Sequence, residues 1–190
     1  MVAQLASRST SPSLEVTPFS CADDYARMVD YFFTADERFL RGMGADPNKL
    51  PERGAWLERL LPDLLRPDAQ KQAFYLGWDY RGRRVGHCNV NQLLYGERAF
   101  MHLHLWDAGA RRAGLGTEFL RRSVPLFFQR FALQRLYCEP YAANPAPNRV
   151  LSKAGFRFLE RYRTTPGLIN FEQEVNRYVI DRSALGHPGA

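Results

Sequence analysis

The sequence predicts an α/β fold of the α+β kind, a mixed central β-sheet flanked by helices. Three observations carry this. Apolar residues recur at helical spacing in four stretches, and seven shorter runs have strand character. Turn-forming clusters of Gly, Pro and Asn separate them. The resulting order, β, α, α, β, β, β, α, β, α, β, β, is not the regular alternation of a doubly wound parallel sheet.

Leu14 to Phe19 alternates as a first strand, behind a loose N-terminal stretch, residues 1–13. Asp23 to Phe33 carries Tyr25, Met28, Val29, Tyr31 and Phe32 at helical spacing, with acidic residues at its start. Asp36 to Arg41 reads as a second short turn, and Gly42 to Pro47 breaks the pattern. Pro51-Glu52 opens a helix toward Leu65, which Pro62 should kink or split. Gln72 to Tyr80 and Arg84 to Leu93 form a hairpin around Arg81-Gly82-Arg83, and Ala99 to Trp106 is a third strand after a turn at Tyr95-Gly96-Glu97. Gly114 to Arg130 is a helix with a stripe of Leu115, Phe119, Leu120, Val124, Phe127 and Phe128. Gln134 to Tyr141 is a strand, and Pro147 to Ala154 a short helix ended by Gly155. Phe156 to Thr164 and Phe171 to Asp181 complete the sheet. At 190 residues the chain suits a single domain over residues 14–190 with a real core.

Composition narrows the function. Hydrophobic residues make up 45% of the chain, which argues against disorder. No apolar run approaches a membrane span, and the first residues lack a secretory pattern, so a cytoplasmic protein is expected. Cys21, Cys88 and Cys138 are too few and too scattered for a disulfide framework. The net charge of +6, mostly Arg, admits a phosphate-rich ligand or nucleic acid. Nucleic acid is disfavoured, because no helix has a dedicated basic face and no aromatic-basic motif occurs.

The strongest chemical signal is a strand, a short connector, then Arg111-Arg112-Ala113-Gly114-Leu115-Gly116 opening a helix. A helix start exposes unpaired N–H groups and the positive end of its dipole, and glycines let an anion approach them. Arg111 and Arg112 add charge for phosphate groups. Taken alone, the same residues also fit a plain tight turn. Downstream, Glu139-Pro140-Tyr141 is followed by Asn144, a helix, and Lys153-Ala154-Gly155-Phe156.

Together the two segments resemble the GCN5-related N-acetyltransferase superfamily over about residues 72–182. The resemblance implies that fold, with two strands of the sheet splayed apart, and acetyl-CoA as co-substrate with no metal. It implies that the backbone of His104, Leu105 and Trp106 pairs with the pantetheine arm, with an N–H near Trp106 polarising the acetyl carbonyl. Arg111, Arg112, Ala113, Gly114, Leu115, Gly116 and Thr117 correspond to the pyrophosphate loop, and Asn144 to a contact with the cofactor arm. Glu139 lies where ribosomal-protein alanine acetyltransferases of the superfamily carry a catalytic Glu. The usual acid, a Tyr seven residues after the Asn, is Leu151 here, which leaves Tyr141, Ser152 or water, with Tyr141 the better substitute. His102 and His104 share a strand face, where His102 suits contact with the acceptor. Adding His87 suggests a metal site only weakly, since spacing supplies no fourth ligand. Asp46 lies in the expected substrate-lid loop, where it could attract a cation or simply cap a turn.

The expected activity is acetyl transfer to a primary amine of a peptide, protein or small molecule. The competing expectation, raised by Leu151, is a non-catalytic acyl-CoA-binding module. Dimers are common among relatives, so a homodimer is one expected assembly.

Overall fold

The computed structural model describes residues 13–111 and 114–186. The expected N-terminal tail therefore lies almost wholly outside the described residues, as do Arg112 and Ala113. Strands β1 (Leu14–Pro18), β2 (Phe74–Tyr80), β3 (Arg83–Leu94), β4 (Arg98–Leu105), β5 (Arg135–Cys138), β6 (Arg157–Thr164) and β7 (Gln173–Asp181) form one sheet in the order β1-β2-β3-β4-β5-β7-β6. Only β4 and β5 pair in parallel; every other neighbour is antiparallel.

Two apolar layers cover the sheet. On one face lies α5 (Leu115–Phe131), whose stripe of Phe119, Leu120, Val124, Phe127 and Phe131 is buried. Trp78 stacks on Phe119 at 5.0 Å and donates to Ser123 Oγ at 2.9 Å, which satisfies its one polar group. On the other face lies α1 (Ala22–Thr34), burying Tyr25, Met28, Val29 and Phe32. Strand β3, covered on both faces, is accordingly buried along most of its length.

The hairpin between β2 and β3 turns on Arg81 (φ 52°) and Gly82 (φ 72°), the paired left-handed residues of a two-residue turn that matches strand twist. Asp36 caps α2 (Glu37–Gly42) by accepting from the Phe39 N–H at 2.7 Å. Pro62 divides the following segment into α3 (Arg53–Leu60) and α4 (Pro62–Leu65), as its missing N–H requires. Asn144 caps α6 (Pro145–Lys153), accepting from the Ala146 N–H at 3.2 Å.

One boundary differs from expectation and matters. Strand β5 ends at Cys138 rather than Tyr141. Pro140 cannot donate to a ladder, and the β4–β5 pairing stops at Met101 and Cys138. Beyond it, β4 runs on beside β3 to Leu105. The chain after Cys138 instead turns to β7, where Tyr141 bridges to Val175. The two parallel strands therefore part, leaving an opening between them.

Candidate active site

The opening leads into a cavity of about 1000 Å³ bounded by α1, α2, the ends of β4 and β5, and the starts of α5 and α6. Gly114 forms the N-cap of α5 at φ +75°, a conformation that side chains rarely adopt. A Cβ there would meet nothing within 4 Å, so the space before the helix is open. The Thr117 N–H is spent on Gly114 O at 3.1 Å. Among the described residues, the first-turn N–H groups of Leu115 and Gly116 have no such acceptor, and they sit at the positive end of a 17-residue helix. Such a helix start favours an anion.

Two cations the sequence reading passed over share that wall. Arg149 and Lys153 both line the cavity, four residues apart on α6. Their spacing puts them on one helical face, which periodicity after the Asn144 cap would have revealed. Asn144 also lines the cavity, with its Oδ1 engaged as the cap.

Among the N–H groups near Trp106, that of Trp106 itself donates to Val85 O at 2.7 Å, toward β3, and so does not face the opening. Alternation along the strand turns the N–H groups of Leu105 and Leu103 the other way, into the space between β4 and β5. The Arg111 side chain is not presented before the helix either. Its Nε and Nη2 donate to the carbonyls of Leu105 and Trp106 at 3.1 and 3.2 Å, and it lies over the Phe39 ring at 4.3 Å. It thus fixes the end of β4.

At the apex, just past the last β4–β5 pair, stand His102 on β4 and Glu139 after β5. Glu139 is anchored through Oε1, which accepts from Arg177 Nε at 2.5 Å and from the Tyr162 hydroxyl at 2.7 Å. Its side chain is 11% exposed. Among the described residues, no hydrogen bond uses Oε2. Sequence spacing could not find Arg177 and Tyr162, which reach Glu139 only through strand pairing. His102 Nε2 is buried without a partner, as is Asn91 Oδ1. Register sets Asn89 directly opposite His102. The alternation His87, Asn89, Asn91 against buried Cys88 and Val90 was the unused sequence sign of this polar stripe. Tyr141 lines the cavity edge-on to Phe171 at 5.7 Å. Leu151 is fully buried in the core beneath α5. Asp46 does not line the cavity; its Oδ1 accepts from the Asn48 N–H at 3.1 Å, and Asp36 is the aspartate at the rim.

His104 stacks on His87 at 4.8 Å with ring planes 10° apart, and His87 Nδ1 accepts from the Trp106 indole N–H at 2.8 Å. Burial pushes the His87 imidazole well below its ordinary range, with His104 next in effect. Burial, then His102, drives His104 down to about 3. Burial lowers His102 too, partly offset by the charge of Glu139. All three are neutral at pH 7.

A stability effect follows. Below the unfolded value of about 6.5, the unfolded chain takes up protons that the folded chain refuses. Stability is therefore full above pH 6.5 and falls as the pH drops toward the folded values. His104 alone costs up to about 2 kcal/mol by pH 5, an upper value because its ring is open to the cavity on one side. Melting temperature should fall by about 4–8 °C between pH 7.5 and 5.0 at matched ionic strength. A flat profile would contradict the buried neutral rings.

A glycine-capped helix start beside a strand opening, with a carboxylate at the apex, is an arrangement that suits a transferase with an anionic co-substrate. The sequence profile of the acetyltransferase (GNAT) domain matches residues 13–157, more than half of the chain, and the protein belongs to that family. Solved structures with the same fold include the ribosomal-protein α-N-acetyltransferase RimL in complex with coenzyme A, 15% identical, TM-score 0.74, with 92% of this chain and 97% of that chain covered. A spermidine N-acetyltransferase from Vibrio cholerae in complex with CoA and spermine is 14% identical at TM-score 0.73, covering 90% of this chain and 97% of the other. An aminoglycoside acetyltransferase in complex with coenzyme A and kanamycin is 18% identical at TM-score 0.71, covering 94% of this chain and 100% of the other. No curated protein sequence matches the chain. No helix among the described residues is long and apolar enough to cross a membrane.

Proposed function

We propose that the chain transfers the acetyl group of acetyl-CoA to a primary amine by direct attack of the amine nitrogen on the thioester carbonyl. The observation that carries this reading is the anchored carboxylate of Glu139 at the apex of the β4–β5 opening, on the same cavity as the α5 N-terminus. The pyrophosphate rests on the N–H groups of Leu115 and Gly116, and Arg149 and Lys153 supply positive charge to the outer phosphates. The Leu105 N–H, aimed into the opening, donates to the thioester oxygen as negative charge develops there. Arg177 and Tyr162 hold one oxygen of Glu139, and the other takes the proton that the attacking ammonium must lose. The C–N bond forms, the C–S bond breaks, Tyr141 gives its hydroxyl proton to the departing thiolate, and the second proton of the acylated nitrogen returns to the Tyr141 oxygen to leave a neutral amide. His102 contacts the acceptor through its unpartnered Nε2.

Glu139→Gln tests this. The amide keeps the shape and the acceptor oxygen for Arg177 but cannot accept a proton. In a thiol-release assay kcat should fall about 100-fold, with the acetyl-CoA dissociation constant unchanged by calorimetry. An unchanged kcat and pH–rate profile would remove Glu139 as the base. Turnover of no amine at all, with acetyl-CoA still bound, is the signature of a non-catalytic acyl-CoA module, the reading that buried Leu151 favours.

A further inference from the structure

The cavity divides chemically. Its outer half, at α5 and α6, is cationic. Its inner half, between α1 and the β3–β4 face, is aromatic. Phe32 lies 5.2 Å from both Trp56 and His104, and Tyr31 lies 5.8 Å from His104 and stacks on Trp106 at 5.9 Å. Tyr31, Phe32, Phe39, Trp56 and His104 all line the cavity, so this row of rings forms its wall. The polar groups set into that half are neutral amides and imidazoles: Asn89, Asn91 and His102, with His104 kept uncharged by burial.

Charge is scarce there and mostly positive. Among the described residues, the lining carboxylates are Asp36 and Glu139, against Arg38 and Arg111 on the same half. Asp36 is exposed at the start of α2, and its Oδ1 caps that helix. Glu139 shares its charge with Arg177. Apart from the exposed Asp36, one carboxylate oxygen is thus available for one ammonium. A second ammonium buried among the rings would find no carboxylate there beyond Glu139, since Asp36 is exposed at the start of α2, and would have Arg38 and Arg111 nearby, which is unfavourable. The chain's net charge of +6 opposes the approach of a polycation as well. A flat apolar body, by contrast, gains from burial against the rings and from stacking on them.

Resting on the acetyltransferase reading above, we infer that the acceptor is an arylalkyl monoamine: a primary amine joined by a short chain to an aromatic body, with no second positive charge. Its ammonium is drawn to Glu139, and its ring lies against Tyr31, Phe32 and Trp56. The site discriminates against polyamines and aminoglycosides by the charge it withholds.

The test compares 2-phenylethylamine and tryptamine with spermidine and kanamycin in a thiol-release assay with the full chain. The arylalkylamines should exceed both polycations in kcat/KM by at least tenfold. Trp56→Leu should raise KM for 2-phenylethylamine at least fivefold with the acetyl-CoA dissociation constant unchanged. Arg38, exposed on α2, offers a variant that spares the core: Arg38→Glu should shift the kcat/KM ratio toward spermidine by at least threefold. Spermidine or kanamycin turning over as well as the arylalkylamines would overturn the inference, as would acetyl-CoA binding without turnover of either arylalkylamine. Failure to bind acetyl-CoA at all would instead show that the donor site itself has been misread.

Discussion

Gly114→Glu is expected to weaken acetyl-CoA binding at least 100-fold, the largest functional effect of any single change here. Two causes add. Gly114 holds φ +75°, where a side chain costs about 1–2 kcal/mol. The new carboxylate would also occupy the open space before α5 and compete for the N–H groups meant for the pyrophosphate. Calorimetric titration measures the loss, and a thermal melt shows that the fold survives. Gly114→Ala separates the causes: its Cβ meets nothing within 4 Å, so only backbone strain remains and the loss should be far smaller. Binding undiminished in the Glu variant would mean that this loop is not the donor site.

The largest stability effect is expected at Arg84. Its guanidinium bridges α1 to the sheet, with Nη1 at 3.1 Å from Asp24 and Nε at 2.9 Å from Asp79. The group is only 14% exposed. It lies over the Phe19 ring at 5.5 Å and fills the space that Gly77 leaves, where a Cβ would approach within 1.9 Å of Nη1. Arg84→Met removes the cation and strands two largely buried carboxylates, at a cost of about 3–5 kcal/mol. For a chain of this size that lowers the melting temperature by about 6–20 °C. A change under about 2 °C would show that the carboxylates are solvated without Arg84. Because Arg84 ties down α1, the same variant should loosen the helix that carries Tyr31 and Phe32.

The elements were legible where their causes are local. Gly114 ahead of an apolar stripe announces a helix start because glycine takes the left-handed conformation at least cost. Asn144 announces another because its side chain reaches an N–H two residues on. Pro62 splits a helix wherever it falls. The hairpin at Arg81-Gly82 and the alternation of polar and buried residues along β3 are equally local. The end of β5 was misjudged because its four paired residues look no different in sequence from Glu139-Pro140-Tyr141. Where the ladder stops depends on which strand lies alongside.

The arrangement of the site needed the sheet. Glu139 was visible as a carboxylate at a strand end, but its anchors, Arg177 and Tyr162, lie 38 and 23 residues away and arrive through strand pairing. Arg111 looked like a phosphate ligand beside glycines, yet its long side chain folds back onto the carbonyls of β4. An oxyanion N–H was expected near Trp106, and only the β3–β4 register shows that the Trp106 N–H turns to β3 while that of Leu105 turns to the opening. The sequence by itself determined most of the secondary structure and the family, because caps, turns and periodicity act over a few residues. The tertiary structure alone decided which backbone groups face the opening, which carboxylate is free, and that the acceptor half is lined with rings. Those properties belong to surfaces assembled from β3, β4, β7, α1 and α3, and no single stretch of chain contains them.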